Sequence, residues 1–106
     1  MAKYLVIASY TADGMKGVAS KGGTARREAV EKMLADLGGT IESFYFAFGD
    51  ADAYIVCDLP DNVSAAAIGI SVGASGMVQT RTVVLLTPEE IDRAAQAKAT
   101  YRPPGS

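Results

Sequence analysis

The sequence predicts an α+β fold with one antiparallel sheet, and three observations support this prediction. Four short apolar runs, rich in β-branched and aromatic residues, are typical of strands. One segment with apolar residues at helical spacing separates the first run from the second, and another separates the third from the fourth. A last helical segment follows the fourth run. The order βαββαβ with a C-terminal helix is the ferredoxin-like arrangement, in which both main helices lie on one face of the sheet.

The first strand is predicted over residues 3–10, a short apolar run that contains Val, Ile and Tyr. The pattern breaks at Asp13, Gly14 and Gly17. Residues 11–23 are therefore expected to form a short helical turn followed by a loop.

The first main helix is predicted to follow this loop. Thr24 is its expected N-cap, because a threonine hydroxyl can accept a hydrogen bond from a free backbone N–H of the first turn. Gly38 and Gly39 are expected to end the helix, since glycine adopts the left-handed conformation at little cost. The residues at helical spacing are Arg26, Ala29, Val30, Met33, Leu34 and Leu37.

The middle of the chain predicts a hairpin. Residues 40–48 form an aromatic-rich strand, residues 49–52 a tight reversal, and residues 53–59 the returning strand. Pro60 is expected to end it. The first and third strands are then the two central strands of the sheet.

The last part of the chain predicts a helix, a strand and a second helix. Residues 63–74 have an alanine-rich helical pattern, which Gly76 ends, and residues 77–86 form the fourth strand. Thr87 is the expected N-cap of the last helix and Pro88 its first residue.

Composition and charge argue against several classes of protein. With 106 residues, of which 49% are hydrophobic and 21% charged, the chain is expected to form a single domain over residues 1–100, followed by a flexible tail at residues 101–106. The net charge of −2 and the scattered basic residues argue against a nucleic-acid partner. No apolar run approaches the roughly 20 residues of a membrane helix, so no membrane partner is expected.

The content of Cys and His bears on location and on metal chemistry. The single cysteine, Cys57, leaves no internal disulfide and fits a reducing cytoplasm. The first apolar run is too short for a secretory signal, so a cytoplasmic location is expected. The chain has no His, the commonest general base and metal ligand, so no metal site and no cofactor are expected.

The alternation of residues in the central strands predicts an apolar surface on both faces of the sheet. Leu5 and Ile7 alternate with Val6 in the first strand, and Tyr54 and Val56 share one face of the third. Helices can cover only one face, and the other is too apolar to remain exposed. A second copy packed sheet to sheet would give a homodimer, a dimeric α/β barrel, with Val6 and Val56 in the interface, or a higher oligomer of such dimers. Alternatively, the C-terminal helix covers this face.

Four motifs occur in order along the chain: YTADG after the first strand, Arg26 early in the first main helix, LGGTIESFYFAFGDADAYIV through the hairpin, and LPDN before the second main helix. In this order and spacing they make the chain similar to the small bacterial GYD-domain family, from Tyr4 to about Ile91. The resemblance implies a ferredoxin-like fold and association through the sheet face. It implies no established reaction.

The hairpin departs from the signature of that family, which is Gly, a variable residue, Tyr and Asp. Residues 49–52 read Gly-Asp-Ala-Asp, so the aromatic residue is missing and the Asp of the signature corresponds to Asp52. Any role of that tyrosine is lost in this chain, unless Tyr54 or Tyr45 replaces it.

The charged candidates for a site each have two interpretations. Asp50 and Asp52 can act as acid and base or share a cation, but aspartate is also a common turn residue. Arg26 can bind a carboxylate or phosphate with two parallel hydrogen bonds. It can equally form a structural ion pair with Asp52 or Asp13.

The remaining candidates lie on predicted strands. Tyr10, Tyr45 and Tyr54 can orient an apolar ligand through their hydroxyls, or they are core residues with one exposed edge. Cys57 is expected to be buried and unreactive, because no basic neighbour lowers its pKa.

Two functions are compatible with this sequence. The first is a dimer that binds a small apolar or weakly acidic molecule between sheet and helices without catalysis, with Arg26, Tyr10, Tyr45 and Asp52 as candidate ligand-binding residues. The second is a cofactor-independent enzyme, similar to monooxygenases of dimeric α/β-barrel architecture, with Asp52 or a tyrosine as base. The lack of His favours the first.

Overall fold

The computed structural model describes residues 1–105, so Ser106, the last residue of the expected tail, lies outside the described part. The elements are β1 (Ala2–Tyr10), α1 (Ala12–Lys21), α2 (Gly23–Asp36), β2 (Thr40–Phe46), β3 (Ala53–Leu59), α3 (Asn62–Ala74), β4 (Val78–Leu85) and α4 (Pro88–Gln96). The strands form one antiparallel sheet in the order β2-β3-β1-β4, which confirms the predicted α+β, ferredoxin-like fold. None of the described helices is both long and apolar enough to cross a membrane.

The segment after β1 is more regular than predicted. α1 is a helix of 10 residues capped by Thr11, whose Oγ1 accepts a hydrogen bond from the backbone N–H of Gly14 at 3.2 Å. Gly22, with a φ of 86°, joins α1 to α2 in a conformation that favours glycine. α2 therefore begins at Gly23, and the prediction that Thr24 caps it is wrong.

Gly14 lets α1 lie directly against the start of β4. A Cβ atom at this position would overlap the carbonyl oxygen of Met77, so a larger residue would push the helix away. The backbone N–H of Thr11 donates to the same oxygen at 2.9 Å, and its hydroxyl donates to the carbonyl oxygen of Gly76 at 3.0 Å. These contacts hold α1 beside β4, where it forms one wall of a cleft.

The helices α2 and α3 cover one face of the sheet and form the core with it. Tyr4 is almost fully buried there, and its hydroxyl donates to Oδ1 of Asn62 at 2.6 Å, which connects β1 to the start of α3. The other core residues include Val6, Ala8, Val30, Leu34, Phe44, Ala53, Ile55, Cys57, Leu59, Ala65, Ile68 and Val78. The core therefore lies entirely on the helix side of the sheet.

The strand register determines which alternate residues face the helices. Val6 pairs with Ile55 and is only 7% exposed, whereas Leu5 pairs with Val56 on the opposite face. Cross-strand partners share a face of the sheet. The prediction that Val6 lies on the outer face is therefore wrong, while Val56 does lie there.

We call this outer side of the sheet the open face. Its large apolar and aromatic side chains are Leu5, Ile7, Tyr45, Tyr54, Val56, Val83 and Leu85. The alternative in which the C-terminal helix covers this face is wrong, because α4 buries none of its residues. The chain measures 57 × 32 × 23 Å, with a radius of gyration of 16.9 Å against about 13 Å for a compact chain of this length. This elongation fits a last helix that extends away from the sheet.

Candidate functional site

A cleft of about 470 Å³ opens between α1, α2 and the start of β4. Tyr10 and Val78 form its sheet side, α1 contributes Asp13 and Lys21, and Arg26 comes from the first turn of α2. A cleft of this size can hold a small organic molecule. Its charged lining residues are two cations and one carboxylate, so the cleft suits a ligand with a negative charge.

Arg26 is held at the cleft by an aromatic contact. The central carbon of its guanidinium lies 5.9 Å from the centroid of the Tyr10 ring, within the range of a cation–π interaction. The Tyr10 ring lies 6.5 Å from that of Phe46, which lies 5.2 Å from that of Phe44. The Nε atom of Arg26 is buried and, within residues 1–105, has no hydrogen-bond partner. A buried donor without an acceptor is costly, and an acceptor on a bound molecule would remove that cost.

A smaller cavity of about 30 Å³ lies deeper, between the sheet and the helices α2 and α3. It shares Tyr10, Arg26 and Val78 with the cleft, and the rest of its lining is almost wholly apolar. This volume admits a water molecule or a group the size of a methyl. Cys57 lines the cavity, and burial raises the pKa of its thiol to about 11, so the thiol is neutral. The site thus has an apolar interior behind a cationic entrance.

Asp52 lies at the end of the β1–β3 ladder. Its backbone N–H donates to the carbonyl oxygen of Ala8 at 2.9 Å, and its Oδ2 accepts a hydrogen bond from the backbone N–H of Tyr10 at 2.8 Å. No ion pair joins Asp52 to Arg26 in the described part of the chain. Asp50 is exposed. Asp52 therefore acts on the cleft only through the backbone of Tyr10.

The four candidate ligand-binding residues do not all lie together. Tyr10 and Arg26 line the cleft in mutual contact, and Asp52 holds the backbone of Tyr10. Tyr45 pairs with Tyr54 on the open face and is 72% exposed. It is therefore separated from the cleft by the thickness of the sheet.

The sequence interpretation missed α1 and its contribution to the cleft. Lys21 and Gly17 line the cleft from this helix. The available signal was Thr11 followed by Asp13, an N-cap residue with an acidic residue in the first turn. Within residues 1–105 no three His, Cys, Asp or Glu side chains are grouped so that they could hold a metal ion.

Comparison with known families identifies the chain. The family model of the GYD domain matches residues 4–95, from β1 almost to the end of α4. The chain belongs to the GYD domain family. The match includes the sheet from Tyr4 onwards and all the residues that line the cleft of this GYD domain. No curated protein and no solved structure matches it.

The hairpin of this GYD domain shows what replaces the missing aromatic residue. Ala51 stands where the signature has Tyr, and it is only 2% exposed. The next residue, Asp52, closes the hairpin, because its carbonyl oxygen accepts a hydrogen bond from the backbone N–H of Ala47 at 2.8 Å. The small side chain and the carboxylate thus both contribute to the junction of the hairpin with β1.

Proposed function

We propose that this GYD domain is a homodimer that binds a small organic anion with an apolar body in the cleft, without catalysing a reaction. The observation that supports this most is the buried Nε of Arg26, which has no hydrogen-bond partner in the described part of the chain. A carboxylate can accept two parallel hydrogen bonds from a guanidinium and is the group best matched to it.

The surroundings of Arg26 support an apolar body on the ligand. Tyr10 presents an aromatic ring beside the guanidinium, and the small inner cavity begins behind both residues. That cavity admits only a group the size of a methyl. The proposed ligand therefore has a carboxylate at Arg26, an aromatic or aliphatic body in the cleft and, at most, a small substituent directed inward.

Binding has more support than catalysis. The proposed base Asp52 already accepts a hydrogen bond from the backbone N–H of Tyr10. Tyr45, another proposed base, lies on the opposite face of the sheet. Arg26, by contrast, provides a positive charge and donors, which suit the binding of an anion.

The test is a titration of the ¹⁵N-labelled protein with sodium benzoate, followed by amide NMR shifts. Benzoate is expected to shift the amides of Tyr10, Arg26 and α1, and benzyl alcohol, which lacks the charge, to bind more weakly. Arg26→Met should weaken benzoate binding at least about ten-fold, the effect of losing roughly 1.4 kcal/mol.

Arg27→Met is the matched control. Arg27 is the next residue of α2, lies at the surface and pairs with Glu31 at 3.2 Å, so its removal should leave benzoate binding unchanged. Arg26→Met should melt at the wild-type temperature or above it, because removing the unpaired buried Nε relieves a cost of about 1–3 kcal/mol, more than the roughly 0.5–1 kcal/mol of the lost contact with Tyr10. Equal benzoate affinity in wild type and Arg26→Met would refute the proposal. Native mass spectrometry of freshly purified protein would show any carboxylate that purifies with it.

A further inference from the structure

The strand register arranges the side chains of the open face in rows that run across the sheet. The middle row consists of Ser43, Val56, Leu5 and Val83, from the β2 edge to the β4 edge. Apart from the serine at the edge, this row is apolar. It has the composition of the centre of a protein interface.

The row on the side of the cleft is partly aromatic. It contains Tyr45 and Tyr54 on β2 and β3, then Ile7 on β1 and Arg81 on β4. The side chain of Arg81 forms no ion pair or hydrogen bond within residues 1–105. A cation therefore stands at one edge of this row and an exposed aromatic ring at the other.

The row at the opposite end carries both signs of charge. Lys3 donates to Asp58 at 3.0 Å, and it donates to Glu42, at the bulge of β2, at 3.1 Å. Leu85 completes the row on β4. The open face thus has an apolar centre between two rows that include charges, as interfaces between proteins do.

We propose that a second copy of this chain packs on the open face with the two-fold axis parallel to the strands. This inference rests on the proposed homodimer and specifies its geometry. Two packed sheets keep their strands roughly aligned, so an axis parallel or perpendicular to the strands is possible. With the parallel axis, each row meets the same row of the partner in reverse order.

The parallel axis brings complementary side chains together. In the middle row, Leu5 meets the partner's Val56, so apolar surface is buried on both sides. In the charged row, Lys3 meets the partner's Asp58, and opposite charges attract. In the aromatic row, Arg81 meets the partner's Tyr45, which allows a cation–π interaction across the interface.

The perpendicular axis brings unlike side chains together. Each strand would then lie against the same strand of the partner, with the order of the rows reversed. Lys3 would face the partner's Ile7, and Arg81 would face the partner's Leu85. The second contact places the unpaired charge of Arg81 against apolar surface, which is unfavourable. The first contact gives Lys3, which already pairs with Asp58 and Glu42 of its own chain, no opposite charge on the partner. The parallel axis has one mismatch of this kind, Glu42 against the partner's Leu85. Only the parallel axis gives Lys3 an opposite charge and Arg81 an aromatic ring on the partner, so the charge pattern of the open face favours it.

The test uses single cysteines introduced into the middle row, joined by a short bismaleimide. Packed sheets lie about 10 Å apart and neighbouring strands about 4.8 Å apart. With the parallel axis, position 43 lies about 10 Å from position 83 of the partner, and the two copies of position 83 lie about 17 Å apart. The native Cys57 does not interfere, because it is buried and its thiol is neutral.

Tagged Ser43→Cys and untagged Val83→Cys chains are co-expressed and treated with the reagent. The expected product is a cross-linked pair of one tagged and one untagged chain, while Val83→Cys alone stays uncross-linked. Efficient self-linking of Val83→Cys would overturn the parallel axis and leave the dimer intact. A monomeric wild type in sedimentation equilibrium would overturn the dimer, and the benzoate titration remains an independent test of the cleft.

The predicted contact between Arg81 and the partner's Tyr45 gives a second measurement. Arg81→Met and Tyr45→Leu should each raise the dissociation constant of the dimer about ten-fold, because the two-fold axis repeats the exposed cation–π contact and each change removes both copies. The double variant should be no weaker than the weaker single variant, because both changes remove the same contact. If the double variant instead raises the dissociation constant by the product of the two single effects, these residues do not touch. Arg27→Met on α2 is the control and should leave the dissociation constant unchanged.

Discussion

Asp52 is a turn residue whose side chain also holds the backbone of another strand. Its carboxylate accepts the N–H of Tyr10, the last residue of β1, just beyond the end of the paired strand β3. The ring of Tyr10 in turn contacts Arg26. Asp52 therefore positions a cleft residue without lining the cleft.

Replacing Asp52 is expected to destabilise the domain more than replacing Asp50. Asp52→Ala should lower the free energy of unfolding by about 1–3 kcal/mol, because it leaves the N–H of Tyr10 without an acceptor. Asp52→Asn should cost less, since its amide oxygen can accept the same hydrogen bond. Asp50→Ala should stay within about 0.5 kcal/mol of wild type. Urea denaturation measures all three.

The absence of an Asp52–Arg26 pair in the described chain has a measurable consequence. Adding Arg26→Met to Asp52→Asn should recover none of the lost stability, because no charge of Arg26 depends on Asp52. A recovery in the double variant would show that the two side chains are coupled.

The thiol of Cys57 is expected to make the domain sensitive to alkaline pH. Burial raises its pKa from 9.0 to about 11, so the folded state favours the neutral thiol. The resulting stabilisation is complete below pH 9 and is lost as the pH rises through 11, and the total loss is about 3 kcal/mol. Between pH 8 and pH 10.5, the free energy of unfolding should fall less in Cys57→Ala than in wild type. Parallel losses in both proteins would contradict this.

Among the elements, α3 and α4 have similar caps and different surroundings. Asp61 caps α3, where its Oδ1 accepts hydrogen bonds from the backbone N–H and hydroxyl of Ser64 at 2.9 and 3.0 Å. Thr87 caps α4 in a reciprocal arrangement with Glu90. Only α3 contributes residues to the core. The same local interaction should therefore have different effects on the stability of the domain.

Removing the cap of α3 is expected to lower the stability of the whole domain, whereas removing the cap of α4 is expected to affect that helix alone. Asp61→Ala should lower the free energy of unfolding by about 1 kcal/mol, whereas Thr87→Ala should change it by less than about 0.5 kcal/mol, because α4 frays on its own. Hydrogen bonds from Ser64 lower the pKa of Asp61 below its usual 3.8, so its contribution is present above that pH and is lost as the pH falls through the lowered pKa. Between pH 7 and pH 3, urea titrations should show a larger fall in the unfolding free energy of wild type than of Asp61→Ala, which still has Glu90 with its own lowered pKa. Equal effects of Asp61→Ala and Thr87→Ala at pH 7 would refute the distinction between the caps.

The order of the elements was predictable from local patterns, whereas relations between elements were not. Alternation separates Leu5 from Val6 and Tyr54 from Val56, but only the register shows that Val6 pairs with Ile55. A shift of one residue in that pairing exchanges the two faces.

The contacts of α1 and of the cleft illustrate the same limit. From the sequence, Gly14 indicated only that the strand pattern ends. In the structure a glycine is required there because α1 touches the carbonyl oxygen of Met77, more than 60 residues away. Tyr10 and Arg26 were expected in one site and do lie together, whereas Tyr45 lies on the other face. Their role in ligand binding stays a prediction.

At the scale of the whole molecule, the position of a charge in the sheet decides its effect. Val56→Asp should leave the far-UV circular dichroism unchanged and convert the proposed dimer to a monomer, because it places an unpaired charge in the proposed interface. Val6→Asp should prevent folding, since Val6 lies in the core. Thr82→Asp, on the helix side of β4, should leave the dimer intact. If light scattering gives Val56→Asp the same molar mass as a dimeric wild type, the proposed interface is refuted.

The alternation of β1 links its two faces to different properties of the protein. Its even-numbered residues from Tyr4 to Tyr10 adjoin the core and the cleft, whereas its odd-numbered residues from Lys3 to Ile7 belong to the open face. Substitutions at Tyr10, the even-numbered residue that lines the cleft, would vary ligand binding, and substitutions at the odd positions would vary the proposed assembly. Within this single strand of nine residues, ligand binding and assembly could therefore be altered by separate substitutions. Substitutions selected for each property could then be combined in one protein.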